Sequence, residues 1–265
     1  MCCINYKKIK GLKLYAIVVL NLFAVNASAQ LKDPALSVSV MPTVSNRLMS
    51  FKTNVSSNYK DSINQADRYR DAVGAAVMMS YSVDKYTRIH FGMQYLNLGF
   101  TRKKENLRFL DTIHPQIGIM SDLSQTGESY VDFNYRFHYI TLPFLVDKQI
   151  VNKKMKASTM HFILGASISA LFKHDINAQF HGFSLKGGDK SKVLDAKDQE
   201  AGRLNGNLQV GFRLENLVYG EKTFVFVQPN LFIPILKANY SKERAQLYAL
   251  GVQVGLMFKI EKDNQ

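Results

Sequence analysis

The chain has 265 residues, 46% of them hydrophobic, a formal charge of +13 and two cysteines. That length allows one large domain or two small ones, and no apolar run after residue 30 approaches the roughly 18 residues of a spanning helix, which excludes helical membrane architecture. The lysines and arginines are scattered rather than gathered in one patch, which argues against a nucleic-acid partner; an anionic lipid head-group surface is the fitting counterpart for the charge.

Residues 1–29 read as a secretory signal peptide. Lys7, Lys8, Lys10 and Lys13 precede an apolar run over 14–25, and Ala27 and Ala29 supply the small residues of a cleavage site that leaves Gln30 first. Cys2 and Cys3 leave with this segment, so the mature chain, 30–265, has no thiol for a disulfide or a metal. Its formal charge falls from +13 to +9, because the segment carries four lysines and no acid.

The mature chain shows period-two alternation, the signature of strands whose successive side chains point to opposite faces. A first strand over 35–44 is followed by one over 72–83, in which Val73, Ala75, Val77, Met79, Tyr81 and Val83 share a face opposite Gly74, Ala76, Ser80 and Ser82. A third covers 88–101 and a fourth 132–150. In the fourth, Tyr135, Phe137 and Tyr139 share one face while Leu142, Phe144 and Val146 share the other, and Pro143 lacks a ladder N–H; a bulge with a register shift is expected near 140–143. Strands over 160–173, 203–215, 223–235 and 248–260 complete the set, with Leu208, Val210 and Phe212 alternating against Asn207, Gln209 and Arg213 in the sixth.

Eight strands, an even number, and an alternation of short connections with long ones over 45–70, 102–131 and 174–202 predict an eight-stranded antiparallel up-and-down transmembrane β-barrel, with short turns in the periplasm and long loops outside. Rings at strand ends, among them Tyr81, Tyr95, Phe100, Tyr135, Phe172 and Tyr248, are expected to form interfacial girdles. A charge facing lipid near the midplane costs about 2–4 kcal/mol, so Arg203 and Arg213 must face the lumen. With Arg88, His90, Arg136, His138, His161, Glu215 and Lys259 they are expected to form or border an internal polar network. A barrel this narrow is filled by its own side chains, which argues for a plugged lumen and against an open channel.

Tyr139-Ile140-Thr141-Leu142-Pro143-Phe144-Leu145 resembles a conserved strand of the PorT-like outer-membrane β-barrel family, as do Phe91-Gly92-Met93-Gln94-Tyr95 with Gly99-Phe100, and Leu164-Gly165-Ala166. Gln253, Gly255, Phe258 and Ile260 are similar to the terminal strand signal read by the barrel assembly machinery. The resemblance runs from about the first strand to the end. It implies an eight-stranded two-faced barrel in the outer membrane and no single activity, since some relatives assist secretion.

No phosphate loop, dinucleotide fingerprint, zinc-protease helix or nucleophile elbow is present. His174, Asp175 and His181 share a stretch without the spacing of a metal site, and Ser169 with Lys173 lacks a coupling partner. No cofactor, metal or catalytic residue is expected. The expected function is that of a non-enzymatic barrel acting through its external loops or through envelope or secretion proteins. The competing reading is a soluble exported barrel resembling a lipocalin, which would turn its apolar side chains inward around a small apolar ligand.

Overall fold

The computed structural model describes residues 32–51, 66–108, 111–119, 129–150, 158–183, 189–195, 204–220, 222–235 and 243–260. The expected signal segment, with Ala27, Ala29 and Gln30, lies outside them, as does Arg203. The strands are β1 (Lys32–Phe51), β2 (Asp67–Arg68), β3 (Arg70–Ser82), β4 (Thr87–Lys104), β5 (Thr112–His114), β6 (Gly118–Ile119), β7 (Tyr130–Ile150), β8 (Ser158–His181), β9 (Ser191–Asp195), β10 (Leu204–Tyr219), β11 (Thr223–Pro234) and β12 (Glu243–Lys259). Eight of them close a ring in the order β1, β3, β4, β7, β8, β10, β11, β12 and back to β1, each antiparallel to the next. Closure leaves no unpaired ladder edge in hydrocarbon, where water cannot satisfy backbone groups.

Alternation decides which face meets which medium. Along β1, Val38, Val40 and Val44 point outward and are exposed, while Ser37, Ser39, Met41 and Thr43 point inward and are buried. The same holds along β12, where Leu250, Val252, Val254 and Leu256 are outside and Gln253 is inside. An exposed apolar belt around a buried polar interior is the arrangement of a barrel in lipid, and it overturns the lipocalin-like alternative. The turn at 83–86 and the short connection between β10 and β11 lie at the same end as both described termini, which marks that end as periplasmic. In the first of them Asp84 accepts a 2.7 Å hydrogen bond from the Tyr86 N–H, which holds its carboxyl below the ordinary range.

The strands are longer than the alternation suggested. β7 has 21 residues and β8 has 24, and β9 pairs back onto the far end of β8, so part of the expected 174–202 loop is sheet. The expected bulge does not fall in β7 itself, whose pairing with β4 keeps one offset from Thr87↔Lys148 to Lys104↔Val131, but its pairing with β8 does shift register between His138 and Tyr139, just before the expected 140–143. The irregularity sits instead on β8, where His138 pairs with Lys173 and Tyr139 with Leu171, so that Phe172 is the extra residue.

What changes along β7 is the medium outside, not the parity of its side chains. Phe133, Tyr135, Tyr139, Leu145 and Asp147 all point inward and are buried. The outward series runs from Asp132, Asn134, Arg136 and His138 to the exposed Ile140, Leu142, Phe144 and Val146. The external end therefore stands in water, with a polar outside and an apolar interior that includes Met41, Leu98, Phe100, Phe133, Ile176 and Phe232. Only there does the hydrophobic effect drive packing, at about 1.5–3 kcal/mol for each fully buried large side chain, because lipid tails are as apolar as the core itself. Phe100 and Tyr135, expected in a girdle, are stacked inside this core with ring centroids 4.4 Å apart.

Close strand approach requires glycine at several wall positions, Gly165 among them. A Cβ at Gly165 would lie 2.2 Å from the Phe144 carbonyl oxygen and 2.7 Å from Leu145 Cα, both backbone atoms of β7. Gly165→Ala is expected to lower stability by about 1–3 kcal/mol, measured as the urea midpoint of the circular-dichroism transition in lipid vesicles.

Candidate functional site

Inward residues of β4, β7, β8 and β10 meet near the periplasmic end in one ionic cluster. Asp147, whose side chain has no solvent exposure, accepts from Arg88 Nε at 3.1 Å, with Arg88 Nη2 2.8 Å away in an ion pair, and lies 2.7 Å from His90 Nε2 and 3.4 Å from His161 Nδ1. Arg88 Nη2 also donates to Glu215 Oε1 at 2.6 Å and lies 3.2 Å from His161 Nδ1. Arg213 is buried beside Glu215, at 3.5 Å, with its guanidinium over the Phe226 ring. Two guanidinium groups against two carboxylates balance the formal charge, as burial of ions requires. The arginines fill the space between the acids, and among the described residues no set of side chains is arranged to hold a metal ion.

The cluster continues as neutral hydrogen bonds around the rest of the ring. Arg213 Nε donates to Gln228 Oε1 at 2.6 Å, Gln228 Nε2 to Asn230 Oδ1 at 2.7 Å and Asn230 Nδ2 to Gln253 Oε1 at 3.3 Å. Gln253 Nε2 then donates to Ser39 Oγ at 2.6 Å, and Ser39 Oγ to the Ala76 carbonyl at 3.4 Å. The chain of contacts thereby touches all eight barrel strands. Above it, Ser169 Oγ is 2.8 Å from Thr141 Oγ1 and accepts from Asn207 Nδ2 at 3.3 Å.

A cavity of about 470 Å³ opens below the cluster toward the periplasm, lined by residues that include Lys32, Asp84, Lys85, Arg88, His161 and Lys259. A separate ionic group lies at the external end, where the buried Asp67 accepts from Arg47 at 2.7 Å and from Arg102 at 2.8 Å, and Arg47 covers the Phe100 ring.

Of the residues expected in the lumen, Arg88, His90, His161, Arg213 and Glu215 come together. Lys259 stands at the cavity rim over the Phe224 ring and touches none of them. Arg136 and His138 are on the outer wall, because β7 keeps its register and leaves the lipid instead of flipping. Asp147 and Gln228, central to the belt, were not anticipated; the signal for Asp147 was an acid at the parity opposite the lipid-facing Phe144 and Val146. The bulge at Phe172 separates Ser169, inside, from Lys173, outside. His174 stacks on Phe137, Asp175 pairs with Lys173 and His181 stacks on Tyr130, so those three do not converge.

Residues 28–226 match the outer membrane protein beta-barrel domain family. The chain belongs to that family. It is an outer-membrane protein, and its lipid-facing belt is where such a barrel contacts the bilayer. Among solved structures it is similar to the attachment invasion locus protein Ail of Yersinia pestis, at 9% identity over 86% of this chain and 100% of that one, with a TM-score of 0.35. It is also similar to OprG of Pseudomonas aeruginosa, at 8% identity over 88% and 98% with a TM-score of 0.42. The outer membrane protease OmpT of Escherichia coli matches at 9% identity over 86% and 97%, with a TM-score of 0.42. At these identities and scores they carry no argument about what this family member does. No curated protein sequence matches the chain.

Proposed function

We propose that this protein is a non-enzymatic outer-membrane barrel of the PorT-like type with a sealed lumen. It acts through its external wall and loops, or through envelope and secretion partners, in secretion assistance, adhesion or envelope integrity. The observation that carries the reading is the belt from Asp147 to Ser39: His90, Asp147, Arg213, Gln228, Asn230 and Gln253 are each at most 3% exposed. A water-filled pore at that level would leave inward side chains wet. The apolar core at the external end supplies a second seal. The order and spacing of the Tyr139 to Leu145 strand, Gly92 and Gly165 support the PorT-like type.

The biogenesis partners follow from the same reading: a signal peptidase acting after Ala29, and the barrel assembly machinery reading Gln253, Gly255, Phe258 and Ile260. Gly255 has a structural demand of its own, since a Cβ there would lie 2.4 Å from the Val38 carbonyl oxygen.

Purified protein reconstituted in planar bilayers is expected to give no discrete conductance steps. Regular open-channel steps from the folded wild type would remove the sealed-lumen reading while leaving the membrane barrel in place.

A further inference from the structure

We propose that the outer wall of β4, β7 and β8 carries a binding site for the phosphate of an anionic lipid of the external leaflet. The lipid-facing rows of these strands end at one level, marked by Tyr95, Ile140 and Phe172. There the Tyr95 hydroxyl lies 2.7 Å from His138 Nδ1, and the rings of Tyr95, His138 and Phe172 pack with centroids 6.0 to 6.2 Å apart. Such amphipathic rings belong at the boundary between hydrocarbon and head groups.

Cations follow at the next step. Lys173 is paired across from His138, and Arg136 is the next outward residue of β7. Arg70 reaches in from β3, because the β3–β4 ladder ends at Ala75↔Tyr95 and opens a gap above it. Its Nη1 donates to Asn97 Oδ1 at 2.9 Å and to the Leu98 carbonyl at 3.3 Å. Gly99, paired with Arg136, leaves the wall between the two guanidinium groups bare, and a Cβ there would lie 3.1 Å from Arg70 Nη1.

These charges act on one another: Arg70 feels Arg136, and His138 feels Arg70, Arg136 and Lys173. Among the described side chains the carboxylates that reach the group are Asp175, 2.8 Å from Lys173, 3.5 Å from His138 and paired across from Arg136, and more weakly Asp71; Asp195 of β9 is the residue paired with Asp175. Among the described residues Arg136 makes no ion pair within 4 Å, although Asp175 is its ladder neighbour, and its buried Nε has no acceptor. The exposed Lys173, the half-buried Arg136 and the buried Arg70, brought together at the level where acyl chains end with Asp175 the one carboxylate within ion-pair distance among the described side chains, fit a phosphate placed by its own lipid tails. Below them Met93, Leu142, Ile168 and Phe172 are 55 to 64% exposed, a surface for those tails. Guanidinium groups match phosphate oxygens in a two-pronged geometry that a choline head group does not offer. The site is independent of whether the lumen conducts.

Native mass spectrometry of the detergent-solubilised barrel, with phosphatidic acid and phosphatidylcholine of identical chains as probes, tests this. The wild type is expected to retain phosphatidic acid at least tenfold more strongly. Each cation removed is expected to weaken that retention about fivefold, so the Arg136→Gln/Lys173→Gln protein should lose most of it and Lys173→Gln alone an intermediate share. Lys192→Gln, on β9, should keep it. Folding of every variant is checked by its heat-dependent shift in gel mobility. Equal retention of the two lipids, or an unchanged preference in both the single and the double variant, would overturn the proposal. So would displacement of phosphatidic acid by an equal concentration of inorganic phosphate, since the tails would then contribute nothing.

Discussion

Replacing Asp147 by alanine is expected to destabilise the folded barrel by about 3–5 kcal/mol, the cost of leaving buried charge without its counter-ion. The carboxylate holds Arg88 at 2.8 Å and His90 at 2.7 Å from a position with no solvent exposure. Its removal leaves Arg88 dependent on Glu215, which Arg213 already shares at 3.5 Å. The Asp147→Asn variant keeps the shape and removes only the charge, so it should recover little. Arg88→Met/Asp147→Leu, which withdraws both partners of a buried ion pair in favour of apolar volume, should be less destabilised than either single variant that strands a charge. The measurement is a urea titration in vesicles followed by far-ultraviolet circular dichroism, the chain having no tryptophan to report by fluorescence. A shift at Asp147→Ala no larger than that of an exposed substitution would show that the cluster is solvated and the lumen open to water.

The strands in lipid were legible because period-two alternation reports the contrast between the two faces. Phe212 and Arg213 were placed on opposite sides of the wall from sequence, and the structure puts Phe212 outside and Arg213 inside. The same logic failed where the contrast reversed. Tyr135 and Phe137 read as lipid-facing because they are apolar, yet above the bilayer the apolar side is the inner one. A change of medium and a change of register leave the same mark on a sequence, a switch in the parity of hydrophobic positions. On β7 the medium changed and on β8 the register did, at Phe172. The site suffered likewise: Arg88, His161, Arg213 and Glu215 lie in the lipid section and were found, whereas Arg136 and His138 lie above it and were assigned to the wrong face. Asp147 was missed because its meaning comes from pairing with Arg88 across a register that alternation alone does not provide.

The inversion on β7 makes a second prediction of comparable size, on one face of one strand. Phe144 points outward midway along the lipid belt, paired with Ala166, and is 56% exposed. Phe144→Arg is expected to cost about 2–4 kcal/mol, the depth-dependent penalty of a guanidinium near the bilayer midplane. Asn134 has the same outward parity but lies above the lipid, half-buried and paired with Thr101 and Asn177. Asn134→Arg, whose longer side chain can carry its charge into water, is expected to cost no more than about 1 kcal/mol. Both are read as urea midpoints in the same vesicles, with the folded fraction taken from gel mobility before and after heating. If β7 carried the bulge that its sequence suggests, Asn134 would point into the lumen and its arginine would be a buried unpaired charge. The two variants would then be similarly damaged. A large loss at 144 with little at 134 therefore locates the upper edge of the membrane between them, at the level where Ile140 gives way to His138.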